Sequence, residues 1–71
     1  MEAFKKNING TEFEIQGVME GPNEICMVWV ENYQFKMSVN DEGYWVIGQQ
    51  VPKWIKELEP VLGEAIEEEY E

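Results

Sequence analysis

The last third of the chain carries the clearest periodic pattern of apolar positions. Steps of three, one and four residues keep these positions on one face of a helix with 3.6 residues per turn. They are Val51, Trp54, Ile55, Leu58, Val61, Leu62, Ala65, Ile66 and Tyr70. Lysines and glutamates occupy most of the opposite face. The pattern predicts one amphipathic helix over residues 52–70 that packs its apolar side on the rest of the protein.

Pro60 and Gly63 are the two weak points of this predicted helix. Proline cannot donate a hydrogen bond to the carbonyl of Lys56, and its ring crowds the preceding turn, so a kink is expected there. Glycine costs about 1 kcal/mol relative to alanine inside a helix. Because the apolar positions keep their phase across Pro60, we expect one bent helix rather than two unrelated ones.

The first third of the chain has the pattern of a β-hairpin. The Asn9-Gly10 pair is the strongest short-range signal for a two-residue hairpin turn. This turn predicts a register in which Phe4 faces Ile15 and Lys5 faces Glu14. One face of the hairpin is then mostly apolar, and the other carries a complementary pair of charges.

Three more strands are predicted before the helix. Residues 25–30 are six apolar residues in a row, which is typical of a strand buried on both faces. Residues 33–39 alternate between apolar and polar side chains. A turn at residues 40–43 leads into a last strand at residues 44–47. Gly17 is expected to break or bulge the second strand of the hairpin.

This order of elements predicts an α+β fold in a single domain over residues 1–71. The fold is an antiparallel β-meander of four to five short strands, with one C-terminal amphipathic helix packed on one face. A chain of 71 residues is near the lower size limit for a core without disulfides or metal, so modest stability is expected. The acidic end, residues 67–71, is expected to fray.

Alternation along the strands divides the apolar residues of the sheet into two sets. The set expected beneath the helix is Val28, Val30, Phe35, Met37 and Val46. The set expected on the other face is Ile25, Met27, Trp29, Trp45 and Ile47. An uncovered patch of this composition is typical of a protein–protein site. Three outcomes stay open for it: burial by curling of the sheet or by the first hairpin, contact with a second copy, or contact with another protein.

The charge of the chain narrows the class of partner. Fifteen acidic residues and five lysines, with no arginine or histidine, give a formal net charge of −10. This charge disfavours binding to nucleic acids and to anionic membranes. No apolar run approaches the roughly 20 residues of a membrane span, and charged residues interrupt residues 1–15, unlike a signal peptide. We therefore expect a cytoplasmic protein whose partners are proteins.

Glutamates are concentrated towards the end of the predicted helix. Lys53 and Lys56 come early and the glutamates late, which is the reverse of the order that the helix dipole favours. The candidate acidic face consists of Glu64, Glu67 and Glu68. A solubilising terminus explains such a face without any binding function. The alternative is a surface that binds a basic protein, as an acidic inhibitor would.

The sequence predicts no catalytic, cofactor-binding or metal-binding residues. There is no histidine, and Ser38 is the only serine and has no nearby base. Cys26 is the only cysteine, which excludes an internal disulfide and leaves zinc with a single thiolate. Pairs such as Asp41 and Glu42 leave a small carboxylate-using enzyme as a remote alternative. We expect a protein that is not an enzyme.

One short segment resembles a known family. Residues 41–46, Asp-Glu-Gly-Tyr-Trp-Val, resemble the D-x-G-Y-W-V segment that opens a strand in HicB-type antitoxins. The resemblance implies a small α/β domain that pairs with a toxin ribonuclease. The chain departs from that pattern, because the proline-and-glycine loop and the threonine-capped helix that follow in the family are absent. Three further strands also precede the segment, so no residue roles are carried over.

Overall fold

The computed structural model describes residues 3–70 as five strands followed by two helices. The strands are β1 (Phe4–Ile8), β2 (Thr11–Glu20), β3 (Asn23–Val30), β4 (Tyr33–Val39) and β5 (Trp45–Ile47). The helices are α1 (Lys53–Lys56) and α2 (Glu59–Tyr70). The strands form one antiparallel sheet in sequence order. The α+β meander predicted from the sequence is confirmed.

The first hairpin has the predicted turn and register. Asn9 and Gly10 have φ angles of 55° and 85°, and two consecutive positive φ angles define the type I′ turn that matches strand twist. Phe4 lies opposite Ile15, as predicted. The charge pair is displaced along the strand, because Lys5 lies opposite Glu14 but its ammonium group approaches the Glu12 carboxylate at 3.8 Å.

The predicted break at Gly17 is wrong. β2 pairs with β3 without interruption from Glu14 to Glu20. Among residues 3–70, the pairing of β1 with β2 begins at Phe4 and Ile15, so no described strand residue lies opposite Gly17 on that side. The backbone N–H of Gly17 donates to the hydroxyl of Tyr70, at 3.3 Å. Glycine therefore marks the place where the end of α2 reaches the backbone of β2.

The core lies between one face of the sheet and the two helices. It consists of Ile8, Phe13, Ile15, Cys26, Val28, Val30, Phe35, Met37, Ile47, Ile55, Leu62 and Ile66. Four of the residues predicted beneath the helix, Val28, Val30, Phe35 and Met37, belong to it. The helices bury one face of the sheet.

α2 crosses the sheet from the fifth strand to the first. Glu59 at its start accepts a hydrogen bond from Ile47 in β5, and Tyr70 at its end packs edge-on against Phe4 in β1, with ring centroids 5.4 Å apart. Twelve helical residues at about 1.5 Å each span about 18 Å. Four strand spacings of about 4.8 Å separate β1 from β5 by about 19 Å. The helix is therefore as long as the sheet is wide.

The predicted C-terminal helix is present as α2, but the prediction that it continues unbroken from residue 52 is wrong. α1 ends before Pro60, and Pro60 lies in the first turn of α2, where its missing N–H removes no helical hydrogen bond. Leu58 connects the two helices: its N–H donates to the carbonyl of Ile55 at 2.9 Å, and its carbonyl accepts from Leu62 at 2.8 Å. These bonds keep the chain coiled between the helices, so the apolar positions stay in phase.

The predicted faces of β5 are also wrong, by one residue. Ile47 lies opposite Met37 and Trp45 opposite Val39, which places both on the helix side of the sheet and turns Val46 to the other side. The sequence predicted a four-residue turn, whereas five residues, 40–44, separate β4 from β5. A shift of one residue exchanges the two faces of a strand.

Asn40 is the physical cause of the longer loop. Its side-chain Oδ1 accepts hydrogen bonds from the N–H groups of Glu42 and Tyr44, both at 3.0 Å. Its own N–H donates to the carbonyl of Tyr44 at 2.8 Å. Gly43, with a φ of 88°, supplies the left-handed backbone that this closure requires. These bonds hold Tyr44 in the loop, so the strand starts at Trp45.

Two adjacent residues of α2 test how the helix docks. Leu62 is fully buried, whereas Val61 is 43% exposed. We expect Leu62→Ala to lower the free energy of unfolding by about 2–5 kcal/mol because it leaves a cavity in the core. Val61→Ala, the control, should cost less than about 1 kcal/mol. Urea denaturation followed by circular dichroism measures both, and equal losses would contradict this docking of α2.

Candidate functional site

The sheet face opposite the helices, called here the open face, has no element packed over it among residues 3–70. Antiparallel partners project to the same side, so the strand register defines its members. Its apolar side chains are Val18, Ile25, Met27, Trp29 and Val46. Three residues of the predicted interaction set, Ile25, Met27 and Trp29, therefore lie together. The other two, Trp45 and Ile47, are on the helix side.

Val18 and Val46 are members of the open face that the sequence did not indicate. The expected break at Gly17 hid Val18, although a two-residue turn at Gly21-Pro22 places it opposite Ile25. Val46 was hidden by the one-residue error in the loop before β5. A search for two-residue turns would have found the first of these residues but not the second.

The apolar residues of the open face are covered to different extents. Ile25 is 6% exposed, whereas Met27 and Trp29 are half-buried. Lys36 on β4 forms an ion pair of 2.7 Å with Glu20 on β2, and the line between them crosses β3 at Ile25. Burial within the chain, one of the outcomes left open above, thus applies to Ile25.

The charges of the open face differ from those of the whole chain. Its charged residues are Lys5, Lys36, Glu12, Glu14 and Glu20. Two lysines and three glutamates give this face a net charge of −1, whereas the whole chain carries −10. Most of the acidic excess therefore lies outside the open face.

A groove of about 510 Å³ runs beside β5 and α2, and we call it the β5–α2 groove. It is lined by Asn40, Tyr44, Trp45, Val46, Glu59, Pro60, Gly63, Glu64 and Glu67. Aromatic and aliphatic side chains are combined with three carboxylates, and no lysine is among the lining residues. Of the predicted acidic face, Glu64 and Glu67 reach the groove and Glu68 does not.

Among the carboxylates of the groove, Glu59 is the one that stabilises the fold through hydrogen bonds within the protein. Its Oε2 accepts hydrogen bonds from the N–H of Ile47 at 2.7 Å and from the Lys56 ammonium at 2.9 Å. Partial burial alone would raise the pKa of Glu59, but the hydrogen bond from Ile47 and the charge of Lys56 outweigh it and lower that pKa. Glu59 therefore ties the edge strand β5 to the start of α2.

The two aromatic residues of the groove are held in different ways. Tyr44 is 67% exposed and sits in the loop closed by Asn40. Trp45 is half-buried against α2, where a Cβ atom added to Gly63 would lie 3.2 Å from the Trp45 Cβ. Gly63 thus allows α2 to lie close against β5. The sequence pattern indicated Gly63 only as a weak point of the helix, because it carries no information about the contact of Gly63 with Trp45 on another element.

Other chemistry in the described part of the chain is limited. Burial, with a contribution from Glu24, raises the pKa of the Cys26 thiol to about 11, so Cys26 is a protonated core residue at neutral pH. Residues 3–70 contain no group of three or more potential ligands placed to hold a metal ion. Neither described helix has the length and apolar composition to cross a membrane.

Comparisons of the chain with protein-family models, with curated proteins and with solved structures found no match. The resemblance to HicB-type antitoxins stays confined to residues 41–46, which form part of the loop before β5 and the first two residues of that strand. The function of this chain has to be inferred from the open face and the β5–α2 groove.

The hydrogen bond from Ile47 and the ion pair with Lys56 predict that Glu59 makes the stability of the fold depend on pH. The folded pKa of Glu59 is lowered, so its ionisation stabilises the fold above the unfolded value of about 4.3, and this contribution is lost as the pH falls through the folded pKa. Glu59→Gln retains an oxygen for the Ile47 N–H but removes the charge. We expect the variant to lose less stability than the wild type between about pH 5 and pH 3.

Urea denaturation at several pH values measures this difference. Glu64→Gln is the matched control, because it removes the same charge from an exposed position of the same helix. The control should follow the wild type across the acid range. An acid-range loss in Glu59→Gln as steep as in the wild type would show that the Glu59 carboxylate does not stabilise the link between β5 and α2.

Proposed function

We propose that this protein is a small acidic interaction module that self-associates through the open face. The observation that carries the proposal is the apolar strip of Val18, Met27 and Trp29 along β2 and β3, on a face with no described element over it. Tryptophan and methionine are enriched in the cores of protein interfaces. Flanking polar side chains fit the rim of such an interface.

The distribution of charge favours a second copy as the partner on this face. Two copies of a chain with a net charge of −10 repel each other, and the repulsion is smallest where the acidic excess is smallest. The open face carries only −1 and includes Lys5 and Lys36. In a twofold dimer the same face meets itself, so Lys36 of one copy can approach Glu20 of the other. A basic partner would instead be drawn to the glutamates of α2.

The size of the face sets the expected affinity. The sheet is about 19 Å wide, and six residues of a strand at about 3.3 Å each extend about 20 Å. The resulting area of about 400 Å² is half of the roughly 800 Å² per partner in a standard interface. We therefore expect a reversible dimer with a dissociation constant in the micromolar range or weaker.

This function requires no cofactor and no catalytic residue, so the proposal includes that the protein is not an enzyme. A cytoplasmic location is also part of the proposal. The single cysteine, Cys26, is consistent with a reducing compartment, because it is buried as a thiol in the core.

Sedimentation equilibrium tests the dimer directly. The average mass of the wild type should rise with protein concentration towards twice that of the monomer, and Trp29→Ser should remain a monomer at concentrations where the wild type associates. Circular dichroism establishes that the variant is folded. A wild type that stays monomeric at about 1 mM would refute self-association of the expected strength.

A charge reversal on the same face provides a second variant that keeps the apolar strip. Lys36→Glu places another negative charge on the open face and should weaken the dimer, most strongly at low salt. Lys53→Glu is the control, because it makes the same change on α1 at another exposed lysine. If both variants weaken association equally, net charge rather than the open face determines it.

A further inference from the structure

We propose that the β5–α2 groove receives an arginine side chain from an extended segment of a basic partner protein. The inference is independent of self-association, since the groove lies beside the outer edge of β5 and shares only Val46 with the open face. Its volume of about 510 Å³ is within the range of about 300–1,000 Å³ found for ligand pockets. This size suits side chains of an extended segment rather than a folded surface.

The aromatic wall of the groove suits the flat face of a guanidinium group. Among residues 3–70, Tyr44 is the most exposed of the large apolar side chains, at 67%, although its loop is held in place by the hydrogen bonds of Asn40. Trp45 is next to it and is fixed against Gly63 of α2. Guanidinium groups stack on tyrosine and tryptophan rings, and an aromatic group that is already positioned loses little entropy on binding.

The carboxylates of the groove supply the complementary charge. Glu59 is already paired with Lys56, but Glu64 and Glu67 form no ion pair with any lysine of residues 3–70. They are one turn apart on α2, so both carboxylates face the groove from the same side. A carboxylate pair binds a guanidinium through its forked N–H groups, a geometry that lysine cannot reproduce.

The unbalanced charge of α2 is a second reason to expect a cation from outside. The last turn of α2 contains no basic residue, although cations stabilise that end of a helix. With all five lysines of the chain placed elsewhere, no side chain of α2 neutralises Glu64 or Glu67. A basic segment bound in the groove would neutralise these carboxylates. The charge of the groove therefore indicates a cationic occupant.

The experiment is a titration of the isotopically labelled protein with a defined peptide, followed by nuclear magnetic resonance. The peptide alternates three arginines with glycines and has blocked ends. A second peptide carries citrulline, which is neutral and has nearly the same shape, at each arginine. We expect the arginine peptide alone to shift the amide signals of Tyr44, Trp45 and Gly63, with little change on Met27 or Trp29.

Two double variants separate the groove from general attraction to an acidic protein. Glu64→Gln with Glu67→Gln should weaken binding of the arginine peptide about five- to tenfold, as expected for the loss of two partly exposed ion pairs. Glu68→Gln with Glu69→Gln removes the same charge from exposed positions of α2 that do not line the groove, and should change binding less than twofold. Tyr44→Ser should weaken binding, and Tyr44→Phe should restore it.

Three results would overturn the proposal: equal weakening by the two double variants, equal binding of the citrulline peptide, or signal shifts confined to the open face. The outcome is separable from the test of self-association. Lys36→Glu should lower the average mass seen in sedimentation equilibrium, because it weakens the dimer. It should leave peptide binding unchanged, because Lys36 does not line the groove.

Discussion

The fold depends on a match between the length of one helix and the width of one sheet. α2 reaches from β5 to β1, and each of its ends satisfies a backbone N–H for which the strands within residues 3–70 supply no partner. At one end the Glu59 carboxylate accepts from Ile47, and at the other the Tyr70 hydroxyl accepts from Gly17. A chain of 71 residues with no disulfide has little core to spare. Stabilising both margins of the sheet with one helix is therefore an efficient arrangement.

The same constraint produces the two surfaces on which the functional proposals rest. Within residues 3–70, a single helix of this length covers one face of the sheet and leaves the other uncovered, so Met27 and Trp29 lie outside the main core. The outer side of α2 collects glutamates that the core cannot accept, whereas two of the five lysines are on the open face. One surface is nearly neutral and apolar, and the other is acidic and partly aromatic. They therefore suit partners of different chemistry.

Local pattern was sufficient for most of the fold, because the Asn9-Gly10 turn fixes a register and residues 33–39 alternate regularly. The error in the faces of β5 arose because the hydrogen bonds of one side chain, Asn40, decide where that strand begins. Asn40, Asp41 and Glu42 all occur in turns, and only the geometry shows that Asn40 closes a five-residue loop. The groove was beyond prediction for another reason. It depends on the approach of Gly63 to Trp45, eighteen positions away, and periodicity along one segment carries no information about such a distance.

Gly63 and Glu67 each break a rule for a stable helix, and the structure brings them to one place. Pro60 sets where α2 begins, and Gly63, at a cost of about 1 kcal/mol relative to alanine, lets that helix lie against Trp45. Glu64 and Glu67 then line the space that remains beside β5. Because departures from local consistency are expected where a surface serves another purpose, the presence of Gly63 and Glu67 in one groove favours a binding role for it.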